Sequence, residues 1–216
     1  MNMIGKTADR RIGKTMKAIS DALAELLTEK ELHKISINEI AEKAEVSRTT
    51  FYKYYSDVYD LYDKLSQNTL NDLGIIFLQN RERSEEEFYQ EFIRYVADNR
   101  MTFRMIFSRN TTAGLKDRVV KMIEGVLRHQ YSEKFEGPLN SLELIYYTGY
   151  RANGLMSVLQ KWVRTDFRES CEYMAEVIAI LDKNMENSFR RELEKLHENL
   201  GKWRINRENK TTYVRN

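Results

Sequence analysis

Apolar residues recur at spacings of three and four along almost the whole chain, with no stretch of strand-like alternation. The pattern predicts an all-α protein. A first helix is expected over about 9–29, with Ile12, Met16, Ile19, Ala22, Leu23, Leu26 and Leu27 facing inward. Ser36-Ile37-Asn38-Glu39 has the form of a capping box, in which the Ser36 hydroxyl accepts from the Glu39 amide while Glu39 reaches back. Ile37, Ile40, Ala41 and Ala44 then stripe a short second helix, and Ser47 offers the N-cap of a third. Ser56-Asp57 caps a fourth, whose stripe from Tyr59 through Leu73 to Ile76 is long enough to leave the small bundle.

After a polar break at 80–84, helices are expected over about 85–98, 100–108 and 114–131, with Ser84 as an N-cap and Asn110-Thr111-Thr112 as a turn. The lone proline, Pro138, suits the first turn of a helix reaching 164. That helix is apolar on two sides, and the one after it carries a stripe from Met174 to Leu200. We expect these two helices to form a four-helix dimer interface through Leu155, Leu159, Trp162, Met174, Ile178, Leu181 and Met185, an intramolecular bundle being the alternative. The expected division is 1–57, 58–200, and a basic tail over 201–216 (Lys202, Arg204, Arg207, Lys210, Arg215) for which disorder is the default.

Composition sharpens this only in places. The 216 residues suffice for a sizeable core, and one proline with nine glycines favours long helices. No apolar run reaches the roughly 18 residues that cross a bilayer, and the first residues do not form a signal peptide. A single cysteine excludes an intrachain disulfide and fits a reducing cytoplasm, the expected location. The net charge of +2 says little, but Lys6, Arg10, Arg11, Lys14 and Lys17 face only Asp9 and could meet phosphates. A solvated helix start is the plainer reading of that run.

Function is suggested most strongly between Ser36 and Tyr54. After Ser47 come Arg48, Thr49, Thr50, Phe51, Tyr52 and Lys53, of which only Phe51 is suited to burial. Hydrogen-bonding side chains crowded into the first turns of a short helix are how a recognition helix meets base edges. No nucleotide-binding glycine loop or nucleophile elbow occurs, and His33, His129 and His197 lack metal-ligand spacing with Cys171. Neither a cofactor nor a metal is therefore expected, nor an enzyme. Cys171, just after the cap Ser170, could have a lowered thiol pKa, an inert cysteine being the alternative.

The segment from Lys34 to Leu61 resembles the DNA-binding segment of the TetR/AcrR family, at Ser36, Ile40, Ala41, Ala44, Val46, Ser47, Thr50, Phe51, Tyr52, Tyr55 and Leu61. Gly154–Val163 with Ser170–Ala175 is similar to the effector domains of members related to dihydroxyacetone kinase activators. The resemblance implies a homodimer on a palindromic double-stranded operator, with an effector pocket in the C-terminal domain and no membrane partner. It implies that Arg48, Thr49 and Thr50 read bases, with Ser47 and Lys53 also among the DNA-binding residues. It further implies that Tyr52, Tyr54 and Ser36 hold phosphates, Ser36 at a helix N-terminus. Three positions depart from the family: Glu45 stands where glycine is usual, Val58 where a phosphate-binding lysine is common, and Tyr54 where histidine is frequent. Phe92, Tyr95, Phe103, Phe107, Met122, Tyr147 and Arg151 are the expected lining of the effector pocket. Arg151, on an otherwise apolar helix, needs a partner such as Glu143 or Glu172, or an anionic effector. A helical protein-interaction module without specific DNA binding remains the alternative function.

Overall fold

The computed structural model describes residues 3–79, 84–110, 114–134 and 142–212, and the secondary structure of these residues is helical. In chain order the helices are α1 (Met3–Glu29), a 3₁₀ turn (Leu32–Lys34), α2 (Ile37–Lys43), α3 (Arg48–Tyr52) and α4 (Val58–Gln79). There follow α5 (Glu85–Asp98), α6 (Arg100–Ile106), α7 (Leu115–Lys134), α8 (Leu142–Arg164) and α9 (Cys171–Thr212). Pro138 and the Thr111-Thr112 part of the expected turn lie outside the described residues.

α1 begins earlier than its stripe suggested, and that stripe starts later. Ile12 is 41% exposed, so the buried face opens with Met16 and Ile19 and continues through Leu23 and Leu27. α2 packs on this face and α3 packs on α2, and Lys43 pairs with Glu25 of α1 at 2.7 Å. α4 then carries Leu61, Leu65, Leu73 and Phe77 inward along 22 residues, about 33 Å at 1.5 Å per residue. Phe77 meets Phe88 and Phe92 of α5 edge-on, with centroids 5.2 and 5.3 Å apart. One buried apolar cluster consequently runs without interruption from Ile19 in α1 to Ile178 in α9.

The ends of α2 and α8 are built alike. The Glu45 amide donates to the Glu42 carbonyl and the Val46 amide to Ala41, a Schellman pattern that needs a left-handed residue after the helix. Glu45 takes that role with φ 53°. At α8 the Asp166 amide donates to Val163 and the Phe167 amide to Trp162, with Asp166 at φ 58° and Phe167 at φ 56°. The Phe167 ring closes the motif by packing on Trp162 at 5.0 Å.

The dimer face read from the sequence needs correction. Leu155, Leu159, Trp162, Met174 and Ile178 are buried within the single chain, and Met185 is half-buried against the core. α8 is sandwiched, as its two apolar sides implied, but between helices of its own chain, α7 and α9. Of the seven residues only Leu181 points out, at 49% exposure. Among the described side chains, the large apolar ones left open on these helices are instead Leu142, Tyr146 and Tyr150 on α8, and Tyr173 and Ile180 beside Leu181 on α9. The backbone after Gly201 stays helical to Thr212, where the sequence left a tail with disorder as its default.

Candidate nucleic-acid interface

α2, its turn and α3 form a helix-turn-helix whose local bonds follow from the sequence. The Glu39 amide donates to Ser36 Oγ at 3.3 Å, and the Ser36 amide donates to the Glu39 carboxylate at 2.9 Å, completing the capping box. Lys30, from the end of α1, pairs with the same carboxylate. The Lys30 hydrogen bond, then those from Ser36, hold Glu39 down at about 2. Ser47 Oγ accepts from the Thr50 amide at 3.1 Å and starts α3. Phe51 anchors the helix, with 0% exposure and the Tyr55 ring 5.6 Å away. Burying a phenylalanine is worth about 1.5–3 kcal/mol.

Around that anchor, Arg48, Thr49, Tyr52 and Lys53 are exposed, Tyr52 by 50%. A helix of five residues thus has Phe51 in the core, Thr50 half-buried, and Arg48, Thr49 and Tyr52 in solvent. The other expected contacts differ in their commitments. Ser36 Oγ lies 2.9 Å from the Glu39 carboxylate, so a phosphate there would approach a fixed negative charge. The Ser47 and Thr50 hydroxyls are hydrogen-bonded to each other at 2.9 Å, and Thr50 is half-buried. Tyr54 is half-buried against Tyr55, and its carbonyl accepts from Lys64 at 3.1 Å. Val58, at the lysine position, is buried in the first turn of α4.

The residues expected to line an effector pocket are spread through the C-terminal helices. Phe92 and Phe103 are fully packed, and Met122 is partly buried against the core. Tyr95 donates to Asp72 at 3.1 Å, and burial, first, pushes its phenol well above the ordinary range. Tyr147 and Arg151 do come together, the guanidinium lying 5.8 Å from the ring. Tyr147 also stacks on Phe189 at 3.9 Å, and its hydroxyl is buried without a hydrogen-bond partner among the described residues.

Arg151 is partnered by neither carboxylate the sequence suggested. Its Nε donates to Asp182 Oδ1 at 3.3 Å and a terminal nitrogen pairs with Oδ2. The other terminal nitrogen donates to the Tyr131 hydroxyl, which donates in turn to Glu186 Oε2 at 2.9 Å. The Tyr89 hydroxyl donates to Asp182 as well. Burial opposes the charge on Arg151, but Asp182 outweighs it and holds the guanidinium above its usual range. Four helices, α5, α7, α8 and α9, are joined by this buried network.

Phe107 lies apart, in a groove of about 590 Å³ where the last turns of α1, α6 and α8 converge, with Thr28, Arg104, Ser108, Asn110 and Arg164. Ser108 Oγ donates to the Leu27 carbonyl at 3.0 Å and Asn110 Nδ2 to the Thr28 carbonyl at 3.0 Å. These bonds tie the turn after α6 to the last turn of α1, a link that no short motif signals. At Cys171, burial pushes the thiol up and Glu172 adds to it, opposite to the lowered pKa of a sensing thiol. Among the described residues no helix is long and apolar enough to cross a membrane.

Comparison with known proteins agrees with this geometry. Residues 19–65 match the family model of bacterial regulatory proteins of the tetR family, and residues 84–184 match that of a transcriptional regulator C-terminal region. No curated protein matches the chain. Among solved structures, the dihydroxyacetone kinase operon activator DhaS is 19% identical, with a TM-score of 0.53 over 82% of this chain and 96% of its own. The fatty acid degradation regulator FadR from Bacillus halodurans is 16% identical, with a TM-score of 0.59 over 77% and 93%. FadR from Bacillus subtilis, in complex with stearoyl-CoA, is 16% identical with a TM-score of 0.55 over 76% and 96%. At these identities the likeness is one of fold.

Proposed function

We infer that this chain, which belongs to the TetR family of bacterial regulatory proteins, is a homodimeric, sequence-specific DNA-binding transcriptional regulator, a repressor that a small-molecule effector releases. The observation that carries this is the contrast along α3 and its C-cap: Phe51 has no exposure, while Arg48, Thr49, Tyr52 and Lys53 stand open around it. That division suits a helix laid in a major groove. In this reading residues 1–57 read DNA and residues 58–200 bind effector and partner.

Arg48 reads guanine, since its planar fork matches O6 and N7, and Thr49 meets a neighbouring base edge. Tyr52 and Lys53 hold phosphates and fix register. Two subunits related by a two-fold present two such helices, so the operator is palindromic with half-sites about 34–36 Å apart, or a multiple of that. The subunits pair through the open aromatic and aliphatic side chains of α8 and α9: Tyr146, Tyr150, Tyr173 and Leu181.

An effector acts by binding one conformation better than the other. The FadR complex with stearoyl-CoA supports a small-molecule ligand for this fold. In this chain Asp182 already meets the Arg151 charge, so an anionic effector has to compete with that carboxylate. The Tyr147 hydroxyl offers the nearer unmet hydrogen bond. Movement of α6 reaches α1 through Ser108 and Asn110, a path additional to α4.

Selection from random-sequence duplexes tests the reading. Enrichment of a two-fold symmetric sequence with half-sites one helical turn apart supports it. A recovered pool without symmetry or shared sequence contradicts it and favours the interaction-module alternative.

A further inference from the structure

The groove where the ends of α1, α6 and α8 converge encloses about 590 Å³, inside the roughly 300–1,000 Å³ typical of small-molecule sites. Its charged lining is one-sided, with Arg104, Arg109 and Arg164 against Asp166 alone. Arg104 pairs with Asp166, a carboxylate that is itself 75% exposed. Arg109 and Arg164 are exposed and have no ion pair among the described residues. Arg104 and Arg164 stand in the last turns of α6 and α8, where a cation suits the helix dipole. Arg109 lies three residues past the end of α6, so the dipole does not account for it.

The neutral donors of the groove are already spent. The Thr28 hydroxyl donates to the Glu25 carbonyl at 2.7 Å, and the Ser108 hydroxyl donates to Leu27 while accepting from the Asn110 amide at 3.1 Å. The Asn110 side-chain amide is committed to the Thr28 carbonyl. Helix-end carbonyls that would repel an anion are committed too. Leu27 and Thr28 accept those side-chain bonds, and Lys161, Trp162 and Val163 accept from the amides of Thr165, Phe167 and Asp166. The unused hydrogen-bonding capacity is therefore cationic. Beside it lie two apolar side chains, the half-buried Phe107 and the buried Val163.

We propose that this groove is a binding site for a small phosphate monoester: Arg109 and Arg164 clamp the phosphate, Arg104 adds a third guanidinium, and Phe107 with Val163 receives an apolar ester group. A guanidinium presents a planar fork of N–H donors that matches phosphate oxygens two at a time. The site lies apart from the Arg151 network and makes no use of α3. Bound there, the phosphate bridges the end of α8 and the turn after α6, the turn that holds the last carbonyls of α1.

The test is calorimetric titration of the full chain without DNA, using phenyl phosphate and inorganic phosphate as probes. It is run at about pH 8, above the second phosphate pKa of about 6, and at constant ionic strength because salt screens exposed charges. Saturable binding is expected, tighter for phenyl phosphate than for inorganic phosphate. Arg109→Gln with Arg164→Gln should weaken it at least about tenfold, since hydrogen bonds to charged groups are lost. Arg118→Gln with Lys121→Gln removes the same charge from exposed positions on α7 and should leave affinity unchanged. Asp166→Asn frees Arg104 and should tighten binding, asparagine being at ease at φ 58°. Amide exchange over residues 105–110 should slow on binding. No saturable binding, or equal loss in the α7 control, overturns the proposal. Equal affinity for the two probes overturns the apolar subsite, no gain in Asp166→Asn overturns the part given to Arg104, and unchanged exchange overturns the bridge. Because DNA is absent throughout, none of these results bears on the reading of α3.

Discussion

The Asn110 side-chain amide donates to the Thr28 carbonyl across 82 positions of sequence, at 3.0 Å. Together with Ser108 and Leu27 it satisfies carbonyls that the end of α1 cannot satisfy within the helix. The N-terminal helices therefore hang from the C-terminal helices by these hydrogen bonds as well as by the continuous chain of α4. Replacing both residues, Ser108→Ala with Asn110→Ala, removes two bonds worth about 0.5–1.5 kcal/mol each. Amide hydrogen exchange should speed up at the junction of α1 and α6 and leave α8 unchanged. Equal protection at that junction in variant and wild type would remove the bonds from the coupling path.

The Arg151 network predicts a large asymmetry between single and double substitutions. Asp182→Ala leaves a buried guanidinium without its carboxylate, and breaking a buried pair costs about 3–5 kcal/mol. Arg151→Met with Asp182→Leu removes both charges and should cost less than Asp182→Ala alone. Urea unfolding of the two variants decides it. A double variant less stable than the single one would mean that Tyr89 and Tyr131, rather than the ion pair, govern this region.

At Glu45 the family's glycine should be an improvement. A residue other than glycine at φ 53° carries a left-handed penalty of about 1–2 kcal/mol, partly offset by the greater freedom of glycine in the unfolded chain. Glu45→Gly is expected to stabilise by about 0.5–1 kcal/mol in thermal unfolding without altering DNA affinity. Destabilisation would show that the Glu45 side chain holds the turn in some other way.

The capping box predicts a pH dependence of known sign. Glu39 titrates at about 2 in the folded chain against an ordinary 4.5, because Lys30 and Ser36 favour its charged form. Its contribution to stability is complete above about 4.5 and is lost as pH falls towards 2. Glu39→Gln should flatten the stability profile across that window and leave the profile above it parallel to wild type. A variant that loses stability as steeply as wild type through the window would contradict the assignment.

Local features were legible in the sequence because their causes are local. Ser36 and Glu39 are three residues apart, and Ser47 stands directly before the helix that it caps. Partners distant in sequence were not. Arg151 announced a need for a carboxylate, but Asp182 lies 31 positions away on a helix whose register only packing decides. The same ambiguity hid the outward face of α8. With apolar residues on both sides, periodicity could not tell Leu159, which is buried, from Tyr146, which is 73% exposed. A tyrosine tolerates either environment, so its spacing carried no sign. Ile12 failed differently. It fits the stripe, yet the body of the protein ends before reaching it.

Arg48 offers the most direct measurement of the central claim. Affinities of wild type and Arg48→Ala are compared on a selected duplex and on its shuffled counterpart at one salt concentration. A bidentate arginine–guanine pair is worth about 1–3 kcal/mol against the wrong base, so the variant should lose roughly 5- to 150-fold on the selected duplex and little on the shuffled one. Tyr52→Phe should weaken both alike. Equal losses on the two duplexes for Arg48→Ala would contradict the account, because the exposed face of α3 would then be holding DNA without reading it.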